Sequence, residues 1–246
     1  MALSTDVLNL HDTAIGIVTG VGTINSGYNL TTGAAITGTT LNVDANILTL
    51  GAAVNAAVAV DHGATLLTGA NTITGDITNN GTVTLATGGD ITGTTTMALS
   101  TDVLNLHDTA IGIVAGSGTI NSAQDLTTGA TITGTNLNVT DNILTLGANV
   151  TATTTTITAG ATLDAATGDD VIDGAVVNNG TLALDANEVT GIITGTGVIT
   201  MADDCTVAAN ITTATLTFAD GKTLLVGGNT ITGDITNNGT VTLATG

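Results

Sequence analysis

This sequence repeats itself at two length scales, and that constrains its fold more than any single motif does. Residues 1–54 return as residues 97–150 with ten of the 54 aligned positions changed, among them Thr19/Ala115, Val21/Ser117 and Tyr28/Gln124. The stretch NTITGDITNNGTVTLATG at 71–88 returns unchanged at 229–246. Beneath these copies runs a shorter beat. Ile-Thr-Gly begins at Ile36, Ile73, Ile91, Ile132, Ile193 and Ile231. Successive starts lie close to whole multiples of about 18–21 residues, and such a period without helical spacing is the signature of a β-solenoid, in which one coil stacks on the next.

At roughly 18–21 residues per coil, the chain makes about 12 coils. Strands about 4.8 Å apart would then give a rod on the order of 60 Å long. The reading is one continuous all-β solenoid over 1–246, with internal repeat blocks 1–96, 97–200 and 201–246. Blocks one and two open with MALSTDVLNLHDTAIGIV, and block three opens with the diverged MADDCTVAANI. Blocks one and three share GxTLLxGxNTITGDITNNGTVTLATG, at 63–88 and 221–246. In block one the link GDITGTTT (89–96) follows, and then Met97; the sequence stops at Gly246, where such a link would begin. Met1 has its counterpart in Met97, inside the chain, so this Met belongs to the repeat. A tandem unit of roughly 254 residues is expected, or subunits that continue each other's register end to end.

Composition agrees with a narrow, ladder-built interior. There are 33 Gly, no Pro, no Trp, one Tyr and one Phe, and hydrophobic residues make up 42% of the chain. A globular core of this size would normally fill space with aromatics. Small β-branched residues suit the inside of a solenoid instead. Absence of Pro leaves every backbone donor available to a ladder. Disorder is excluded by a mean hydropathy of +0.48, because disordered chains cannot be this apolar. Local patterning supports strands, with period-two alternation in Thr82-Val83-Thr84-Leu85 and Asn46-Ile47-Leu48-Thr49-Leu50. Asn79-Asn80-Gly81, Asn178-Asn179-Gly180 and Asn237-Asn238-Gly239 are the clearest turns. Asn stacked on Asn in successive coils forms amide ladders. No strict six-residue rhythm is present, and variable coil length with Thr/Asn-rich turns favours a right-handed β-helix over a left-handed one.

Charge removes several functions. Twenty Asp and Glu face one basic residue, Lys222, for a net charge of −19. Nucleic-acid binding needs Lys and Arg to displace counterions, and anionic membranes need the same. Every apolar run is broken well short of about 18 residues, so neither a secretory signal nor a membrane-spanning helix is read. The single cysteine, Cys205, permits no intrachain disulfide and reads as a small buried hydrophobe.

Candidate chemistry is thin. His11-Asp12 and His107-Asp108 recur in LNLHDT, but no Ser partner is set by spacing and block three lacks the motif. His62 in AVDHGAT is replaced by Asp220 in block three. With no Arg and one Lys, polysaccharide-lyase chemistry has no evident base, and one Tyr and one Phe cannot line a sugar cleft. The expectation is therefore not an enzyme, and no cofactor is expected beyond possible Ca²⁺. Asp169, Asp170 and Asp173, with Asp203 and Asp204, are the weak calcium candidates, since clustered carboxylate oxygens suit that ion; neither the calcium nonapeptide nor the EF-hand pattern is present. Glycosylation sequons fall at Asn29, Asn80, Asn138, Asn149, Asn179, Asn210 and Asn238. Thr-x-Thr pairs recur at Thr72/Thr74, Thr82/Thr84, Thr94/Thr96, Thr215/Thr217, Thr230/Thr232 and Thr240/Thr242; on one flat face they would make the hydroxyl and methyl array of an ice-binding surface.

The phrases GDITNNGTVTLATG, GTINS and TITGTNLNV resemble the low-complexity β-helical repeats of bacterial surface proteins, the haemagglutinin-type adhesins and autotransporter passengers. That resemblance implies an extracellular or cell-surface location and possible cell-surface or glycan contacts, and carries over no functional residue. A physical consideration adds to it. A solenoid has unpaired strand edges at both ends unless they are capped, and both ends here match the continuing repeat. A self-similar acidic rod should stack head to tail, because a heterologous contact that does not close makes a filament. The expectation is a structural subunit or segment of an extracellular filament, a homopolymer of itself. The alternatives are an adhesin stalk within a longer secreted polypeptide, or an ice-binding protein.

Overall fold

The structure is a computed structural model and describes residues 1–3, 5–11, 16–107, 112–165, 170–184, 188–207 and 209–243. Among the described residues there are thirty strands of two to eight residues and no helix. They form an all-β, parallel β-solenoid of about 12 turns. The chain divides into two compact units, Met1–Ile120 and Asn121–Gly246.

In the first unit the described strands form three sides, each a parallel ladder. One ladder aligns Leu8, Ile24, Leu41, Val58, Ile77, Thr95 and Val114. A second aligns Leu30, Leu48, Leu66, Val83 and Leu104. The third aligns Val18, Ile36, Val54, Ile73 and Ile91. The chain visits the three sides in rotation. Most of these residues are fully buried, and each full burial of a Leu, Ile or Val contributes about 2 kcal/mol. Period-two alternation decides which residues enter: Val83 and Leu85 point inward, while Thr82 and Thr84, which alternate with them, stay half-buried. In Asn46-Ile47-Leu48-Thr49-Leu50, Leu48 and Leu50 are inside and Ile47 faces out, 43% exposed.

The second unit is built the same way. Leu126, Leu144, Leu163, Leu182, Ile199, Leu216 and Ile235 form one column. Leu137, Thr155, Val176, Ile193, Ile211 and Ile231 form another. Ile132, Val150, Ile172 and Val189 begin the third.

Coil length varies more than the Ile-Thr-Gly beat suggests. The coil that brings Val7 beside Thr23 is markedly shorter than the one that brings Val150 beside Ile172. Only the strands must keep register; corners project outward and absorb the difference.

The same ladder explains the Ile-Thr-Gly beat. Its Ile fills the third-side column in the first unit, and at Gly75 and Gly93 its Gly turns the corner directly above the coil below. A Cβ at Gly75 would lie 2.3 Å from the Ala56 carbonyl oxygen, and one at Gly93 would lie 2.3 Å from that of Gly75. No side chain fits such an approach. A second corner device uses asparagine. Asn46 and Asn142, equivalent in the long repeat, adopt left-handed φ values of 60° and 55°, which Asn tolerates. Their side-chain nitrogens donate to the carbonyls of Gly27 (2.8 Å) and Ala123 (3.0 Å) in the preceding coil.

Burying a charge in a column should unfold the stack, since an unpaired carboxylate in an apolar interior costs several kcal/mol. Val83→Asp is expected to abolish the cooperative thermal transition followed by circular dichroism, whereas Thr78→Asp, on the exposed side of its strand, is expected to shift it little. A folded Val83→Asp variant would mean that the faces are assigned the wrong way round.

Candidate functional site

The described residues at which the sequence suggested chemistry are not gathered into a cleft. His11 is exposed and lies against Tyr28, ring centroids 4.5 Å apart and tilted by 33°. Asp12 and Asp108, the partners in the two His-Asp pairs, lie outside the described residues, as does Asp169. His107 is half-buried and His62 stands exposed at a turn. Cys205 is buried. Among the described residues no group of three or more His, Cys, Asp or Glu side chains converges as a metal site would need. A shallow surface depression in the first unit is lined by Asn29, Leu30, Thr31, Ile47, Thr49 and Leu67, with no titratable side chain.

Three of the calcium candidates, Asp173, Asp203 and Asp204, take part in hydrogen bonds between coils. Asp203 accepts a charged hydrogen bond of 2.6 Å from Lys222 Nζ. That bond, followed by one from the Asp204 amide, holds the Asp203 carboxyl below its ordinary value of 3.8. Asp204 accepts from the Thr223 amide at 2.6 Å, and Asp173 accepts from the Thr190 hydroxyl in the next coil. Asp170 is half-buried. Elsewhere in the acidic surface, Asp44 and Asp61 follow paired residues of adjacent coils. Desolvation, then the Asp61 charge, raise the Asp44 carboxyl above 3.8.

Five sequons are exposed, at Asn29, Asn149, Asn179, Asn210 and Asn238; Asn80 and Asn138 are half-buried. Asn138 is occupied, its side-chain nitrogen donating to Asn121 Oδ1 at 2.9 Å. This is one rung of the amide stacking expected from the composition, although the ladders run mid-strand rather than through the Asn-Asn-Gly turns. In the first unit Asn42 donates to Asn25 and Asn25 to Asn9, each at 2.9 Å. The Thr pairs of the first unit lie on three different sides of the coil: Thr72/Thr74 flank Ile73, Thr82/Thr84 flank Val83 and Thr94/Thr96 flank Thr95.

The Asn-Asn-Gly turns have a different job. Asn79 Oδ1 accepts from the Gly81 amide in its own turn (3.0 Å), while Nδ2 donates to the Val103 carbonyl of the next coil (2.9 Å). Asn178 does the same with Gly180 (3.1 Å) and Val198 (2.9 Å). Each turn therefore clasps the coil above it. Asn237 makes the same bond to Gly239, 3.0 Å, and its Nδ2 has no partner among the described residues.

That contrast extends over the whole terminal coil and makes it the candidate site. Residues 71–88 and 229–246 have one sequence in two places. Ile73, Ile77 and Asn79 are fully buried, but Ile231 is half-buried, Ile235 is 45% exposed and Asn237 is exposed. The first coil differs from its own copy in the same sense. Val7 is 59% exposed and Leu8 half-buried, whereas Val103 is half-buried and Leu104 wholly buried. One sequence is therefore covered by a neighbouring coil in one place and uncovered in the other. Sequence reading missed the clasp, because no composition signal distinguishes an Asn that bonds forward from one that merely turns the chain.

Two outcomes are expected. Asn25→Ala removes the middle rung of the ladder and should cost about 1 kcal/mol in urea unfolding; an unchanged midpoint would show that the rungs are exchanged for water without loss. Lys222→Ala should raise the Asp203 carboxyl toward 3.8 in an NMR titration. Because the pair holds that carboxyl low, its contribution to stability is present above pH about 4 and is lost as pH falls through the depressed value. An Asp203 titration identical in parent and variant would break the assignment.

Comparison with protein-family models, curated proteins and solved structures finds no match to this chain.

Proposed function

We propose that this chain is a structural protein, a subunit or segment of an extracellular filament or surface fibre assembled by end-to-end stacking of β-solenoid coils. The observation that carries the reading is the burial difference between identical sequences: residues 71–79 and 103–104 are covered by neighbouring coils, and residues 229–237 and 7–8 present the same strands uncovered. Unpaired strand edges of this kind template further strands. A stack whose two faces match each other rather than themselves propagates instead of closing. The high negative charge favours solubility and opposes lateral clumping of such fibres.

A stalk within a longer secreted polypeptide draws on the same observation, with the next coil supplied covalently instead of by a second copy. An ice-binding surface draws no such support, since the Thr pairs of the first unit are spread over three sides.

Electron microscopy and fibre diffraction of the purified chain, with and without a calcium chelator, test the proposal. Unbranched fibres with a meridional spacing of about 4.8 Å, unaffected by the chelator, are expected. Discrete particles of constant size at every concentration would overturn self-assembly and leave the covalent stalk.

A further inference from the structure

The first unit contains, between residues 79 and 106, a stacked pair of strands whose sequences recur near the two ends of the chain. The strand Thr82–Thr84 pairs in parallel with Val103–Leu106, aligning Thr82 with Val103, Val83 with Leu104 and Thr84 with Asn105. Two backbone and two side-chain hydrogen bonds define its edges. The Val103 amide donates to the Gly81 carbonyl (2.9 Å) and the Leu85 amide to the Asn105 carbonyl (3.0 Å). Asn79 Nδ2 donates to the Val103 carbonyl (2.9 Å), and Asn105 Nδ2 to Thr84 Oγ1 (2.9 Å). Every one of these residues has an identical counterpart at a chain end: 79–85 is repeated as 237–243, and 97–106 repeats 1–10.

We propose that the C-terminal coil of one copy receives the N-terminal strand Val7–Leu10 of a second copy in this register, Thr240 beside Val7, Val241 beside Leu8 and Thr242 beside Asn9. The occupant is argued from sequence identity with the internal junction and from two amide groups. Asn237 Nδ2 has no partner among the described residues while Asn237 Oδ1 is already held by Gly239. In the proposed junction it donates to the Val7 carbonyl. Asn9 Oδ1 already accepts from Asn25 at 2.9 Å, and its Nδ2, also without a partner among the described residues, donates to Thr242 Oγ1. The ladder Asn42–Asn25–Asn9 thereby runs on into the next copy. Val7 and Val241, half-buried or more exposed in this structure, move into the environments of Val103 and Val83. Inside the first unit residues 90–96 also lie over 72–78. A junction made by Met1–Leu10 covers the Asn237–Leu243 side of the coil and leaves the Ile231 side open.

The register rests on the stacking reading above, and disulfide trapping separates the two. In a Cys205→Ala background whose circular dichroism matches the parent, Val7→Cys is combined with Thr240→Cys. Facing residues on adjacent parallel strands lie about 4.8 Å apart, within the span a disulfide bridges. The control combines Val7→Cys with Thr242→Cys, off register by one full pleat, which places the sulfur-bearing residues beyond about 7 Å. Mild oxidation should convert the matched variant into a ladder of dimers and higher multimers that collapses on reduction, at least tenfold more than the control. Equal trapping in the control, or a monomeric matched variant alongside visible fibres, would overturn the register and leave stacking intact. A monomeric matched variant with no fibres would remove both.

Discussion

A parallel backbone ladder needs a neighbour on each side, and the other features of this protein follow from that requirement. Each coil gives one set of amides and carbonyls to the coil below and another to the coil above. Strand residues must therefore match in number and register, while corner residues are free. The short coil from Val7 to Thr23 keeps a regular ladder, and the long one from Val150 to Ile172 keeps its pairing across a one-residue register shift between Thr151 and Thr154. Ladder pairing stacks like on like in the interior, so that Leu30, Leu48 and Leu66, or Ile73 and Ile91, sit directly above one another. Cores of this kind need no aromatic filler, because most inward side chains meet another aliphatic side chain one coil away.

Polar residues are recruited to the same end. Asn appears in three settings, each solving a different problem of stacking. Mid-strand, Asn9, Asn25 and Asn42 join their amides along the outside. At left-handed corners, Asn46 and Asn142 tie back to the coil below. In the Asn-Asn-Gly turns, Asn79 and Asn178 reach forward to the coil above. The acidic side chains do something similar where they are ordered. Asp125 accepts the Ile143 amide and Asp204 the Thr223 amide, each one coil away. Coil-to-coil bonding thus uses Asp204, one of the carboxylates that the sequence marks as a calcium candidate.

Buried polar atoms mark where this economy is strained. Ser26 and Ser122, equivalent in the long repeat, each place a hydroxyl in the interior with no partner among the described residues. Asp102 is fully buried; one of its oxygens accepts the Leu99 amide at 2.7 Å, and the other has no partner among the described residues. Its counterpart Asp6 accepts the Ala2 and Leu3 amides at the open first coil, and those bonds hold its carboxyl below 3.8. One turn motif is thus carried at two depths.

What the sequence determined by itself is the repeat, the all-β solenoid and the inward face of strands with clear alternation, such as that of Val83 and Leu85. Val83 and Leu85 are inside because a period of two admits no other arrangement once Thr82 and Thr84 face out. Equally legible was that the chain's ends match its interior. Only the tertiary structure decided which partners the polar residues take. Whether Asp203 meets a cation or Lys222, whether Thr pairs share a side, and whether an Asn bonds back, sideways or forward depend on the length of each intervening corner. Corner length is set by residues with no periodic signature. The same tertiary context is why one sequence, NTITGDITNNGTVTL, is sealed in the first unit and open in the last coil: burial belongs to the neighbours, not to the residues themselves.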